Sequence, residues 1–223
     1  MEIGGIQRAP KEIVEGFKQV PTSTVSDALD IMGINGIVNG FRALVAGVII
    51  AGTAFTLKEV TGVKGTYSLE DFAVSEIVDT VEEGDVLVCD NGGQQVSTMG
   101  GLGALAMKLR GVVGMVVDGG VRDVQEIIGV PFPAYVRHTC ATSGKTRIKY
   151  IARNVPVQIG NIRVNPGDII VADDTAIAVV PANKGEEVLH QCQRIEEKER
   201  QVRNELKKGK TFDEAVRQIK AYV

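Results

Sequence analysis

Three cysteines, Cys89, Cys140 and Cys192, are all that this 223-residue chain contains, and they stand far apart with no CxxC spacing. An odd, scattered set argues against a disulfide framework and a structural zinc site, and it fits reduced thiols in the cytoplasm. Long apolar runs are missing too. The longest, Leu44 to Gly52, is far below the ~20 residues that cross a bilayer, and Met1 to Pro10 is too polar for a signal peptide. No membrane partner is expected. An excess of one charge is also missing: 25 basic against 28 acidic side chains leave a net charge of -3, so no global field favours nucleic acid. What the chain does have is 44% hydrophobic residues over a length that suits one substantial core.

Short helical periods alternate with β-rich blocks, and no linker or low-complexity stretch intervenes. The expected architecture is α/β: a single compact domain over residues 1–183, then a helical tail over 184–223. Ile13, Val14 and Phe17 set a helix from Lys11 to Val20, stopped by Pro21. Thr22 or Ser23 can cap the next, which carries Val25, Ala28, Leu29 and Met32 on one face and ends at Gly33 to Gly36. Strands are expected at Val45 to Leu57 and Asp85 to Cys89, with helical spacing between them over Ser68 to Val78. Val155 to Val180 reads as strands around the Asn165-Pro-Gly-Asp168 turn. Asp173 and Asp174 are expected to serve turn chemistry in preference to metal binding. The tail helix runs from Lys184 to about Lys208, with Val188, Cys192, Ile195, Val202 and Leu206 as its apolar seam. Glu199 falls on that seam, where it needs a cation, a solvated stretch of helix or a site on another surface. Thr211-Phe-Asp-Glu214 is a capping box for a last helix.

Two stretches carry candidate chemistry. Val112 to Val117 reads as a strand covered on both faces; Gly119 and Gly120 then permit a sharp turn or a close approach, and Arg122 and Asp123 follow. Arginine offers a rigid fork of donors to a carboxylate, and aspartate is a hard ligand for Mg²⁺ or Mn²⁺. The second stretch is Asp90 to Ala106. Asp90 to Gly93 reads as a loop, and Thr98-Met-Gly-Gly-Leu-Gly103 leads into a helix whose first amides suit an anion. The two features could face one pocket. His138 is a candidate general acid but reads more simply as structural, and Arg8, Arg42, Lys58 and Lys64 read as solvated charge.

Thr24 to Asp30, Gly111 to Asp123, and Val164 to Asp174 with Ala178 to Pro181 together resemble the family of the regulator of ribonuclease activity A and the 4-hydroxy-4-methyl-2-oxoglutarate aldolases. The resemblance covers nearly the whole chain in order. It implies a fold related to swivelling phosphohistidine-type domains, and a homotrimer or hexamer with active sites between subunits and the tail packed on a neighbour. It implies a divalent-metal lyase on small 2-oxo acids, by aldol cleavage or oxaloacetate decarboxylation, with Mg²⁺ or Mn²⁺ as cofactor. Arg122 would bind substrate oxygens, Asp123 the metal, and Gly100, Gly101, Leu102 and Gly103 the pyruvyl carboxylate. Glu199 of a neighbouring subunit, or failing it Glu196 or Glu197, would reach the metal shell.

One departure matters. Where the aldolases carry an acid that holds a metal-bound water, this chain has Gly101, and Met99 replaces the first glycine of the motif. Asp90 or Asp118 could substitute from a nearby strand end. The alternative function is a noncatalytic regulator that binds a ribonuclease or another protein. A methyltransferase reading has no support, since no nucleotide-binding glycine turn with a following acid is present.

Overall fold

The computed structural model describes residues 1–220. Its strands are β1 (Glu2–Ile3), β2 (Ile37–Val38), β3 (Arg42–Ala43), β4 (Ile50–Thr61), β5 (Asp85–Met99), β6 (Gly114–Val121), β7 (Ala134–Thr139), β8 (Ile148–Arg153), β9 (Val157–Ile159), β10 (Ile162–Val164), β11 (Ile169–Ala172) and β12 (Ile177–Val180). The helices are α1 (Lys11–Phe17), α2 (Thr22–Ile31), α3 (Val74–Thr80), α4 (Gly101–Leu109), α5 (Val124–Gly129), α6 (Gly185–Lys207) and α7 (Phe212–Ile219).

One mixed sheet runs in the order β2-β12-β11-β4-β5-β6-β7-β3, with β8 on the far half of β4 and β1 beside β8. Its centre, β4-β5-β6-β7, is parallel. Parallel neighbours need crossovers, and α3, α4 and α5 supply them in turn. Alternation along the strands divides the core. Leu87, Cys89, Met115 and Val117 face α3, α4 and α5 through Ile77, Val78, Ala104, Met107 and Ile127. Val86, Val88 and Val116 face the β9-β10 hairpin through Val157, Ile159, Ile162 and Val164. A third cluster sets Val14, Phe17, Val25 and Leu29 against Ile169, Val171, Val180, Val188 and Cys192. The first turns of the tail helix therefore complete the chain's own core, as the buried half of its expected seam requires. Thr211 and Glu214 form the expected reciprocal cap of α7.

Several expectations shift. The strand expected from Val45 starts only at Ile50, because Gly47 turns the chain with φ 74°. The loop expected at Asp90 to Gly93 is a bulge inside the fifteen-residue β5, with positive φ at Gly92 and Gly93 and broken register to β6. Gly119 and Gly120 make no turn but lie within β6. A Cβ on Gly119 would stand 2.9 Å from Asn91 Cβ, and one on Gly120 would stand 2.7 Å from Cys140 Sγ, so the close approach is between neighbouring strands. Ser68 to Ala73 are not helical, since Ser68 and Asp71 exchange hydrogen bonds in a turn before α3 begins. Strand β8 was not expected. Two of the cations read as solvated are structural: Arg8 grips the buried Asp85 with two hydrogen bonds of 2.9 and 2.8 Å, and Lys58 meets Asp90 at 2.6 Å.

A candidate active site at the carboxyl ends of the parallel strands

Strands β5 and β6 end side by side at Met99 and Val121, and α4 and α5 begin there. Open α/β sheets bind ligands at this edge, where helix N-termini and strand ends converge. A cleft of about 760 Å³ opens over it, lined among others by Thr98, Met99, Gly100, Leu102, Gly103, Arg122 and Asp123. The two stretches singled out from sequence therefore do face one pocket. The backbone fixes their register, since the Arg122 amide donates to the Met99 carbonyl at 3.1 Å.

Asp123 precedes α5 with φ 57° and ψ 41°, a left-handed conformation that costs a non-glycine residue on the order of 1 kcal/mol. Its side chain does not cap its own helix. Oδ2 instead accepts the Gly101 amide at 3.3 Å and lies 3.1 Å from Arg122 Nε. The close approach explains a glycine: a Cβ on Gly100 would stand 2.5 Å from Asp123 Oδ2. Gly103 is small for a different reason, because Met99 Sδ occupies the space its Cβ would need. One of the expected anion-binding amides is thus taken by the protein's own aspartate. The amides of Leu102 and Gly103 have no hydrogen-bond partner among the described residues and border the cleft.

Sequence reasoning missed Glu126 and Lys145, which also line the cleft. Glu126 was legible: Asp123-Val-Gln-Glu126 at a helix start puts two carboxylates three residues apart on one face. Lys145 arrives from a distant loop, and no local spacing announces it. Beneath the cleft, the Thr98 hydroxyl donates at 2.9 Å to Oε2 of the buried Glu59, whose Oε1 has no partner. Burial pushes the Glu59 carboxyl up to about 8, against the pull of the Thr98 hydrogen bond and with a smaller push from Asp90.

Other candidates lie elsewhere. Asp90 and Asp118 do not line the cleft and so do not stand in for the missing acid. Asp90 accepts from Lys58, Gly92 and Gln158, and Asp118 accepts from Arg137 and Gly160, which pins the β9-β10 hairpin to the sheet. His138 Nε2 sits 3.1 Å from the Gly93 carbonyl, consistent with its structural reading. Asp173 holds the start of α2 through the Thr22 amide and hydroxyl at 2.9 and 2.7 Å, and Asp174 accepts from Gly47 at 2.8 Å. Both are structural. Glu199 pairs with Arg203 at 3.1 Å and Glu197 with Arg200, and neither these nor Glu196 lines the cleft of its own chain.

A family model described as RraA-like, aldolase/RraA, matches residues 22–179, more than half of the chain. A provisionally named 4-hydroxy-4-methyl-2-oxoglutarate aldolase of Halalkalibacterium halodurans is 30% identical over 220 residues, covering 98% of this chain and 97% of the relative. Protein DlpA of Legionella pneumophila is 32% identical over 195 residues, but the match spans only 31% of its length. A solved structure from Pseudomonas syringae superposes with a TM-score of 0.84 at 28% identity, covering 94% of this chain and 98% of that one. Another, from Streptomyces coelicolor and described as an unusual member of the RNase ES inhibitor RraA family, gives 0.77 at 28% identity over 88% and 98%. With a family model over more than half of its length and a relative 30% identical over nearly all of it, the chain belongs to the RraA-like family.

Proposed function

We propose that this protein is a divalent-metal-dependent lyase acting on small 2-oxo acids, by retro-aldol cleavage of substrates like 4-hydroxy-4-methyl-2-oxoglutarate, by decarboxylation of oxaloacetate, or by both. The observation that carries the reading is the meeting of Arg122 and Asp123 with the open amides of α4 in one cleft. Asp123 Oδ1 has no partner among the described residues, while Oδ2 is held by Gly101. An oriented carboxylate with one oxygen free fits Mg²⁺ or Mn²⁺, which keep waters and take further oxygens from substrate. No group of three or more His, Cys, Asp or Glu forms a cage among the described residues, so a closed structural site is not in question.

A bound ion supplies Lewis acidity at the 2-oxo group. The rest falls to the chain's residues. The Leu102 and Gly103 amides hold the substrate carboxylate, helped by the positive end of α4. Breaking the C3–C4 bond sends its electron pair into an enolate whose charge gathers on the C2 oxygen, and the Arg122 guanidinium faces that oxygen. In cleavage the 4-hydroxyl proton passes to water as the new ketone forms; in decarboxylation CO₂ leaves. Either way C3 takes up one proton to give pyruvate. We further propose cytoplasmic residence, the swivelling-domain kinship, and a homotrimer or hexamer in which Glu199 of a neighbour approaches the ion. Among the described residues no helix is long and apolar enough to cross a membrane.

Oxaloacetate decarboxylation with and without Mn²⁺, compared between the natural chain and Asp123→Ala, tests the reading. Metal-dependent pyruvate release should vanish in the variant, and Arg122→Ala should lose roughly 10²-fold or more in rate. Release no faster than Mn²⁺ alone would leave the noncatalytic regulator, favoured by the Streptomyces neighbour's description, as the better reading.

A further inference from the structure

Gly101 is not a glycine for its backbone, since it has no positive φ. It is a glycine for space. A Cβ built there would stand 2.1 Å from Glu126 Oε2, 2.6 Å from Glu126 Cβ and 2.9 Å from Glu126 Cδ. The contact with Cβ is decisive, because rotating the flexible carboxylate away cannot relieve it. A side chain at position 101 and a side chain at position 126 are mutually exclusive on this backbone. The volume over the first turn of α4 that a residue at 101 would fill belongs to Glu126, delivered from the neighbouring helix.

Glu126 is well placed for chemistry. It lines the cleft with Arg122 and Asp123, and its amide donates to the Asp123 carbonyl at 3.0 Å, which ties the two acids into one turn. Their carboxylates press against consecutive glycines, Asp123 Oδ2 on Gly100 and Glu126 Oε2 on Gly101. Both Glu126 oxygens lack a hydrogen bond or ion pair among the described residues, so their acceptor capacity is uncommitted.

We infer that Glu126 is the second carboxylate of the site, a positioning residue that replaces from α5 the acid that position 101 lacks and orients the water shell of a divalent cation held by Asp123. The inference rests on the proposed lyase reading, and it identifies the exchange of Gly101 with Glu126 as the reason the site can work without an acid at 101. A purely structural Glu126, acting only on the dipole of α4, would change stability and leave the ion alone.

Mn²⁺ titration of the full-length protein, followed by the electron paramagnetic resonance of free Mn²⁺, separates these roles without any turnover. Glu126→Gln should weaken Mn²⁺ about 10- to 100-fold while thermal unfolding stays near that of the natural chain. The paired variant Gly101→Asp with Glu126→Gly, which removes the Cβ conflict, should recover affinity to within a few-fold. Natural affinity in Glu126→Gln, with Asp123→Ala impaired, would overturn the inference and leave the metal site standing. Natural affinity in Asp123→Ala as well, or no Mn²⁺ bound by the natural chain at millimolar concentration, would overturn both.

Discussion

At the scale of single residues, the cleft separates groups that present charge from one that withholds it. Arg122 and Asp123 are partly exposed and meet as an ion pair, while Glu59, bonded to the cleft residue Thr98, is 2% exposed with one oxygen unpartnered. A buried carboxylate without a cation is costly, so Glu59 keeps its proton, and burial lifts it to about 8 from an ordinary 4.5. The sign of the linkage follows. Between pH 4.5 and 8 the folded chain holds a proton that the unfolded chain has released, so stability falls as pH rises, by up to about 1.4 kcal/mol per unit. Glu59→Gln removes that dependence while keeping an acceptor for the Thr98 hydroxyl. Urea unfolding at pH 5 and pH 8 should show the variant gaining on the natural chain at the higher pH, and an equal difference at both would mean that Glu59 titrates normally.

At the scale of elements, the helices other than α5 were legible and the strand connections less so. The periods of α1, α2, α6 and α7 follow apolar spacing that any local window contains, and the Thr211 cap is a four-residue signal. The Asp90 to Gly93 bulge looked like a loop because glycines with positive φ mark both, and only pairing with β6 distinguishes them. Strand β8 escapes a local reading although its burial alternates cleanly, since apolar Ile151 shares the half-exposed face with Lys149 and Arg153 and breaks the apolar–polar alternation. The start of α2 was placed well and its cap was not. The expected cap was Thr22 or Ser23, whereas the oxygen comes from Asp173, 151 residues away. Burial opposes charge on Asp173, but bonds from Thr22, Thr175 and Ala176 overcome it and hold its carboxyl below the usual value. Asp173→Ala should therefore cost about 1–3 kcal/mol, since it strips the cap from α2 and the bonds from the β11-β12 turn together. Chemical denaturation measures this, and a loss under about 0.5 kcal/mol, the range of an ordinary surface substitution, would deny the cap its role.

At the scale of the whole molecule, the site's chemistry was readable because Arg122, Asp123 and the α4 glycines are local motifs, whereas Glu126 against Gly101 is a contact between helices. The same helix carries the last consequence. On α4, Leu102, Leu105 and Leu109 are 80%, 38% and 79% exposed at steps of three and four residues, and Ile128 of α5 adds 42%. Exposed apolar side chains along one helix beside a polar cleft are the kind of surface that another subunit covers. The proposed trimer would bury it and bring a neighbour's tail toward Asp123. Leu105 and Leu109 belong to this face without lining the cleft, so Leu105→Glu with Leu109→Glu attacks assembly and spares the site's own groups. Light scattering should find the natural chain oligomeric and the double variant largely monomeric, with Mn²⁺ affinity reduced because Glu199 of the neighbour is lost. If the natural chain is monomeric, or the variant assembles unchanged, the face is not the contact between copies of this chain. If the variant is monomeric with full Mn²⁺ affinity, the site is complete within one chain and Glu199 has no part in it.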